Sequence, residues 1–384
     1  MAQSGSWRNV REGWPVRTVG LLLLAVALLA AGCSEERPAR RTTTVGFVFV
    51  GDPEDLGYNQ AIWEGSLALA RAFPDLQVER RSHVPETAAA EVAMERLVED
   101  GASILFSTSY GYRDMSRAVA KRHPGVVVLQ QGNVEGPDEL PNYGTYWGRV
   151  YEPVYEAGIV AGAASRSGRL GFVAALPVAP VFNNVNAFLL GARSVRRDAT
   201  VQVAMTGSWC DPEAQRSAAR ELLRQGADVL TQHQDCTRAV LEEAERAGVR
   251  SVGYHSDGSE AAPRGYLVGA VWSWGDTLVD IVRTVRHGAF AGSRYDDDHR
   301  GGLATGNNPF VLSELSRLVP PRTAALVERA EQRMRDGWSP FTGPLRDRHG
   351  RLRVPAGHIP GAAEVDRMDW LLPGVLGRFE GSAA

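Results

Sequence analysis

TVGFVFVGDPEDLGYNQAIWEGS, running from Thr44 to Ser66, is the stretch from which the fold can be read. Val45, Phe47, Phe49 and Val50 are β-branched or aromatic in a nearly continuous apolar run, the pattern of a parallel strand buried on both faces. Gly51, Asp52 and Pro53 stop that run. From about Asn59 the pattern turns helical, with Ala61, Ile62, Gly65, Leu67 and Leu69 able to share a face. The loop between them sets Asp55, Tyr58 and Asn59 beyond the carboxyl end of the strand, where open α/β sheets bind ligands. It has neither the GxGxxG nor the GxxxxGK[ST] spacing that cradles phosphates, which argues against a nucleotide cofactor; no cofactor is expected.

The chain around this stretch has 384 residues, 44% of them hydrophobic and 23% charged, enough for one large or two medium domains. A net charge of −3 gives no footprint for nucleic acid. Residues 1–32 read as an export signal: Arg8, Arg11 and Arg17 precede an apolar run, Val19 to Ala31, too short to span a bilayer comfortably. The run ends in LLAAGC, which resembles a bacterial lipobox with Cys33 as the lipid-modified first residue of the mature chain. Residues 33–43 then form a polar tether, and the protein is expected outside the cytoplasm, held to the cell membrane by its lipid.

A strand–helix rhythm follows. Strands read at Val45–Val50, Leu76–Arg80, Ser103–Ser107 and Val126–Gln130, with helices near 59–72, 87–99, 112–122 and 151–165. The rhythm restarts with strands at Leu170–Ala174, Val201–Met205, Asp228–Thr231, Ser251–Gly253 and Leu267–Val271, and helices near 183–196, 212–225, 237–247 and 276–287. Such alternation implies two parallel sheets with right-handed crossovers, hence two lobes. The first lobe is expected over 44–166, rejoined by roughly 258–290, and the second over 167–257, rejoined by roughly 300–335. The remainder, 336–384, is expected to form a tail packing on the lobes, with a hairpin over GPLRDRHGRLRVPAG.

The residues just after each strand share a chemistry. They are Asp55, Tyr58 and Asn59; Ser109 and Tyr110; Gln131 and Asn133; Phe182, Asn183 and Asn184; Trp209 and Asp211; Gln232, His233 and Asp235; Tyr254, His255 and Asp257; Trp272 and Trp274. A cleft so lined suits a flat ring with donors and acceptors on its rim, with aromatics against the faces and Asp, Asn and Gln at the edge. Trp272 and Trp274 alternate along an extended segment, so only one of them is expected to face the cleft. Asp211 before Pro212 also fits a helix N-cap, and Asn183 is open to the same reading.

At these loops the sequence resembles the basic membrane lipoprotein family, the purine-nucleoside-type substrate-binding lipoproteins of ABC importers. DLGYNQAIWEG (55–65) is similar to the family's D-x-S-F-N-x-x-x-x-E-G, with Gly57 for its Ser and Tyr58 for its Phe. Further segments resemble it in order: TSYGYRD (108–114), GRVYEPVYEAGIVAG (148–162), GADVLTQHQD (226–235), VGYHSDG (252–258) and VWSWG (271–275). The resemblance implies a type I periplasmic-binding-protein fold, with two Rossmann-like α/β lobes of parallel sheets on a three-crossover hinge. It implies Asp55, Tyr58, Asn59 and Asp257 as ligand contacts, a purine nucleoside or purine base as ligand, an ABC permease complex as partner, and a monomer. SWC (208–210) and QDC (234–236) depart from it.

With Cys33 assigned to lipid, Cys210 and Cys236 remain; each follows a second-lobe strand, on strands expected to be neighbours. They form either a disulfide, which an exported protein tolerates, or two buried thiols. Catalysis has little to stand on. There is no G-x-S-x-G or H-E-x-x-H, and His255, Ser256 and Asp257 are adjacent residues that make a poor triad. DDDH (296–299) reads as a solvated loop rather than a metal site. His233 with Asp235 is the one pair with acid–base potential. A binding lipoprotein that signals instead of feeding a transporter remains the alternative.

Overall fold

The computed structural model describes residues 43–132, 140–292 and 300–379. Cys33 with its leader, nearly all of the tether, Asn133 and the DDDH run lie outside them. The strands, in chain order, are β1 Thr43–Val48, β2 Leu76–Arg81, β3 Ala102–Ser107, β4 Val127–Gln131, β5 Tyr143–Gly148, β6 Arg169–Ala174, β7 Thr200–Met205, β8 Val229–His233, β9 Arg250–His255, β10 Tyr266–Trp272, β11 Arg300–Gly301 and β12 Phe310–Leu312, then three short ones, β13 Leu345–Arg346, β14 Leu352–Val354 and β15 Val375–Leu376.

Two sheets result. The first runs β11-β5-β4-β3-β1-β2 and the second β12-β10-β9-β8-β6-β7-β15. The five-strand cores repeat one order, with the first strand of each half flanked by its second and third. All the ladders in these two sheets are parallel except β10 with β12. The strand order therefore reverses between β1 and β3 in one lobe and between β6 and β8 in the other, and such a switch point leaves a crevice at the carboxyl ends. β1 is set by its apolar residues: Val45 lies beside Ile104 and Phe47 beside Phe106, whose rings stack at 4.7 Å. β13 and β14 form the expected hairpin, and β15 adds the tail to the outer edge of the second sheet.

The chain crosses between sheets three times: after β5, between β10 and the helix Trp274–Arg286, and between β11 and β12. Two expectations change here. The segment 258–290 is divided, since β10 pairs with β9 in the second sheet while the helix after it packs on the first-lobe helix Tyr58–Ala72. The helix Tyr151–Ala164, expected to close the first lobe, packs on the second-lobe helix Ala179–Val195. Its glycines explain why: a side chain at Gly158 would strike the backbone of Phe188, and one at Gly162 that of Ala192. The crossovers are laced together by Glu152, which accepts from Leu303 N (2.7 Å) and Asn308 Nδ2 (3.1 Å), while Arg149 N donates to Gly301 O (2.9 Å).

Candidate functional site

The two switch points face each other, and the first-lobe loop 51–57 lies directly on the second lobe. Tyr58 N donates to Asp235 O (2.9 Å), Ser256 Oγ to Gly57 O (2.8 Å), and Thr237 Oγ1 to Leu56 O. A Cβ at Gly57 would overlap the Asp235 carbonyl, so only glycine allows this approach. Leu56, 3% exposed, inserts among Leu241, Ala261, Ala262 and Tyr266 of the second lobe. Its φ of +51° costs about 1 kcal/mol or more. Burial of the side chain, worth about 2 kcal/mol, offsets that cost.

Within the loop, Asp55 is occupied locally. Its carboxylate accepts from Gly57 N (2.8 Å), Asn59 N (3.0 Å), Asn59 Nδ2 (2.8 Å) and Gln60 N (3.0 Å), capping the helix that begins at Tyr58. Burial pushes its pKa up to about 6 against the pull of these donors. Asn59 is similarly engaged, since its Oδ1 accepts from Gly51 N (3.0 Å). Tyr58 is different. Its buried ring meets the edge of His255 at 5.2 Å.

From there the rings form a continuous series across the lobes. Tyr146 meets Trp274 at 5.2 Å, Trp274 stacks on Trp272 at 4.3 Å, and Trp272 lies parallel to His255 at 6.4 Å. His255 touches Tyr254 at 4.1 Å, Tyr254 touches His233 at 4.6 Å, and His233 touches Trp209 at 5.7 Å. The expectation that Trp272 and Trp274 face opposite ways is overturned. The backbone turns from strand to helix at Ser273, so the two indoles come together instead of alternating.

His255 also has φ +69°, in the left-handed region that histidine enters more readily than most residues. Trp272 Nε1 donates to its Nδ1 (2.8 Å). An indole N–H can only donate, so Nδ1 is the acceptor and the proton of the neutral ring sits on Nε2. Burial, which pushes the imidazole down to about 3, keeps the ring neutral. Nε2 has no hydrogen-bond partner; Asp235 Oδ1 stands 3.8 Å away. Asn184 Nδ2 lies 3.0 Å from His233 Nδ1 and 2.8 Å from the Tyr254 hydroxyl, leaving Asn184 Oδ1 unpaired. Burial, then the charge of Glu86, raises the Asp235 carboxyl to about 8. The series of uncharged rings thus holds an unpaired N–H donor, an unpaired amide acceptor and a raised carboxyl.

Other residues read from the sequence lie elsewhere. Tyr110 is 64% exposed and Asp257 is exposed, accepting from Ser259 N (3.0 Å). Gln232 Nε2 donates to Thr237 O (2.8 Å), holding its own loop. Ser109 Oγ donates to Glu86, and Phe182 packs on Phe379. Asn183 is buried with Oδ1 unpaired; its helix begins at Ala179, so Asn183 is not the cap. Asp211 is a cap, accepting from Glu213 N and Ala214 N. Cys210 and Cys236 are joined by a disulfide, with Cα atoms 5.2 Å apart. Their strands are not neighbours, because β6 lies between β7 and β8; the loops reach over it. His233 pairs with Asn184 and Tyr254 rather than with Asp235. Tyr146 belongs to a strand the sequence did not signal, YGTYWG, in which glycine and polar residues break the apolar pattern. Among the described residues no His, Cys, Asp and Glu group could hold a metal ion. Nor is any helix there long and apolar enough to cross a membrane.

Residues 42–306 match the family described as ABC transporter substrate-binding protein, PnrA-like (Bmp). The chain belongs to this family. It is 31% identical over 339 residues to a purine-binding protein of Brucella abortus, covering 88% of this chain and 94% of that one. It is also 31% identical over 302 residues to a putative ABC transporter glucose-binding protein of Haloferax volcanii, covering 78% and 74%. A solved solute-binding protein of an ABC transporter system from Conexibacter woesei superposes with a TM-score of 0.63 at 20% identity, covering 77% of this chain and 97% of that one. That likeness concerns the fold. The two lobes and their crossovers are those of a periplasmic-binding protein, and the chain is an ABC transporter substrate-binding protein.

Proposed function

We propose that this substrate-binding protein captures a purine, as nucleoside or free base, between its lobes and delivers it to an ABC permease for import. The observation that carries the reading is the series of neutral rings with unpaired His255 Nε2 and Asn184 Oδ1 beside the Asp235 carboxyl. A purine presents flat π-faces and a rim of ring nitrogens and exocyclic groups, which such a site matches without a charged ligand. Each aromatic contact adds about 0.5–1.5 kcal/mol beyond burial. Hinge closure accompanies binding: ligand held on one lobe favours the closed arrangement in which Tyr58 and Leu56 meet the second lobe. The purine-binding relative supports the ligand class.

A hexose is the second reading, favoured by the name of the halophile relative. Identification by mass of ligand extracted from purified protein separates the two. So does calorimetry of ligand-stripped protein with adenine, guanine, adenosine, guanosine, inosine, ribose and glucose. Binding of glucose or ribose without any purine overturns the proposal. The receptor is further proposed to sit outside the cytoplasm on a lipid at Cys33, for which LLAAGC after an apolar run is the ground. Cys33→Ala then loses lipid labelling and moves to the soluble fraction; a variant retained in the membrane rejects that anchor.

A further inference from the structure

Away from the ring-lined cleft, on the outer side of the hinge, the structure has a cavity of about 380 Å³. Its walls come from the start of the helix Tyr151–Ala164, the segment 303–315 and the helix Pro321–Arg335. The first two belong to the crossover after β5 and the one between β11 and β12. The volume is within the range of small-molecule sites, about 300–1,000 Å³. Val311, Leu312 and Val327 supply apolar lining, and Glu328 and Glu331 stand on the opposite helix.

Glu156 lines the same cavity and is 3% exposed, yet its Oε1 has no hydrogen-bond partner. A buried carboxyl oxygen left in this state is costly unless something completes it. The cation nearest to hand is already engaged: Arg335 Nη2 lies 2.5 Å from Glu331 Oε1. Burial, then the charges of Glu331 and Glu152, raise the Glu156 carboxyl well above its ordinary value despite the opposing charge of Arg335, and a cation placed directly beside it would lower it.

We propose that the hinge cavity is a second ligand site, distinct from the cleft, that takes a small organic ammonium with its nitrogen at Glu156 and its hydrocarbon against Val311, Leu312 and Val327. Glu328 gives the mouth a negative charge, while Glu331 is paired with Arg335. An occupant touches two of the three crossovers. The assignment does not depend on which ligand fills the cleft.

Calorimetry of the full-length protein with 1,4-diaminobutane tests it, with 1,4-butanediol as the neutral match and butyrate as the anion. The diamine binds and the other two do not. Glu156→Gln, nearly isosteric, lowers diamine affinity at least about tenfold. Glu328→Lys at the exposed mouth does the same without touching the core, and so covers the case in which the buried variant fails to fold. Binding of the diol as tightly as the diamine overturns the proposal, as does diamine affinity unchanged in both variants. Absence of diamine binding up to about 10 mM, weaker than any specific site of this size, also overturns it.

Discussion

The opening loop of the first lobe, residues 51–57, and the strand-end loops of the second lobe carry the same residue types but use them differently. In the first, Asp55 and Asn59 satisfy each other, Gly51 and the start of their own helix. In the second, His255 and Asp235, with Asn184 on the helix Ala179–Val195 beside them, keep a donor, a carboxyl and an acceptor uncommitted. A polar atom already engaged has less left to offer a ligand, whereas a buried unsatisfied one gains most from it. In the proposed function, the second lobe is the one to read the ligand edge, and the first would supply a lid made of Leu56, Gly57 and the ring of Tyr58.

This division can be broken from either side. The largest effect is expected from Gly57→Ala, whose methyl group prevents the approach to Asp235. Loss of three of the interlobe hydrogen bonds, about 1 kcal/mol each, weakens ligand binding roughly 150-fold. Small-angle scattering should show an open form and circular dichroism an intact fold. Unchanged affinity means that closure does not need this contact. Tyr58→Ala comes next, at about 2 kcal/mol or roughly 30-fold by calorimetry, with Tyr58→Phe mild because the ring makes the contact.

Asp235→Asn sharpens the comparison through pH. A carboxyl raised to about 8 in the folded protein adds stability that is fully present below its unfolded value, near 4. That stability is lost as pH rises through about 8. Melting temperature of the ligand-free protein should fall across this window, and the asparagine variant should lack that share of the slope. An identical slope removes Asp235 as its source. The smallest effect on binding belongs to Asp55→Asn. It should cost about 1 kcal/mol of stability as a weakened helix cap while affinity changes less than about threefold. A large affinity loss at unchanged stability would falsify the capping role.

Much of this was legible beforehand because it depends on short-range patterns. Apolar runs and 3.6-residue periodicity placed the strands of both cores, apart from β5, to within two residues or so, and Asp211 with Pro212 announced a helix start. β5 was hidden since Tyr143–Gly148 alternates glycine with polar and aromatic residues, and its burial comes from sitting between β4 and β11. The site was legible as a set of strand-end residues. Which of them keep free hydrogen-bonding capacity was not, because that depends on partners far along the chain. Asn184 meets Tyr254 and Trp272 meets His255 only after the second sheet has formed. Leu56 gave no signal at all, since its socket is built from residues 241–266.

The disulfide has a practical bearing on how the protein is handled. Trp209 immediately precedes Cys210 and Asp235 immediately precedes Cys236, so the bond clamps the two rim residues across β6. The sheet beneath is held by its own ladders and buried apolar residues and does not depend on that clamp. Material matured in a reducing cytosol would thus pass a test of secondary structure while presenting a slackened rim. Preparations from oxidising and reducing hosts would then differ in apparent affinity, with nothing in their gross folding to account for it.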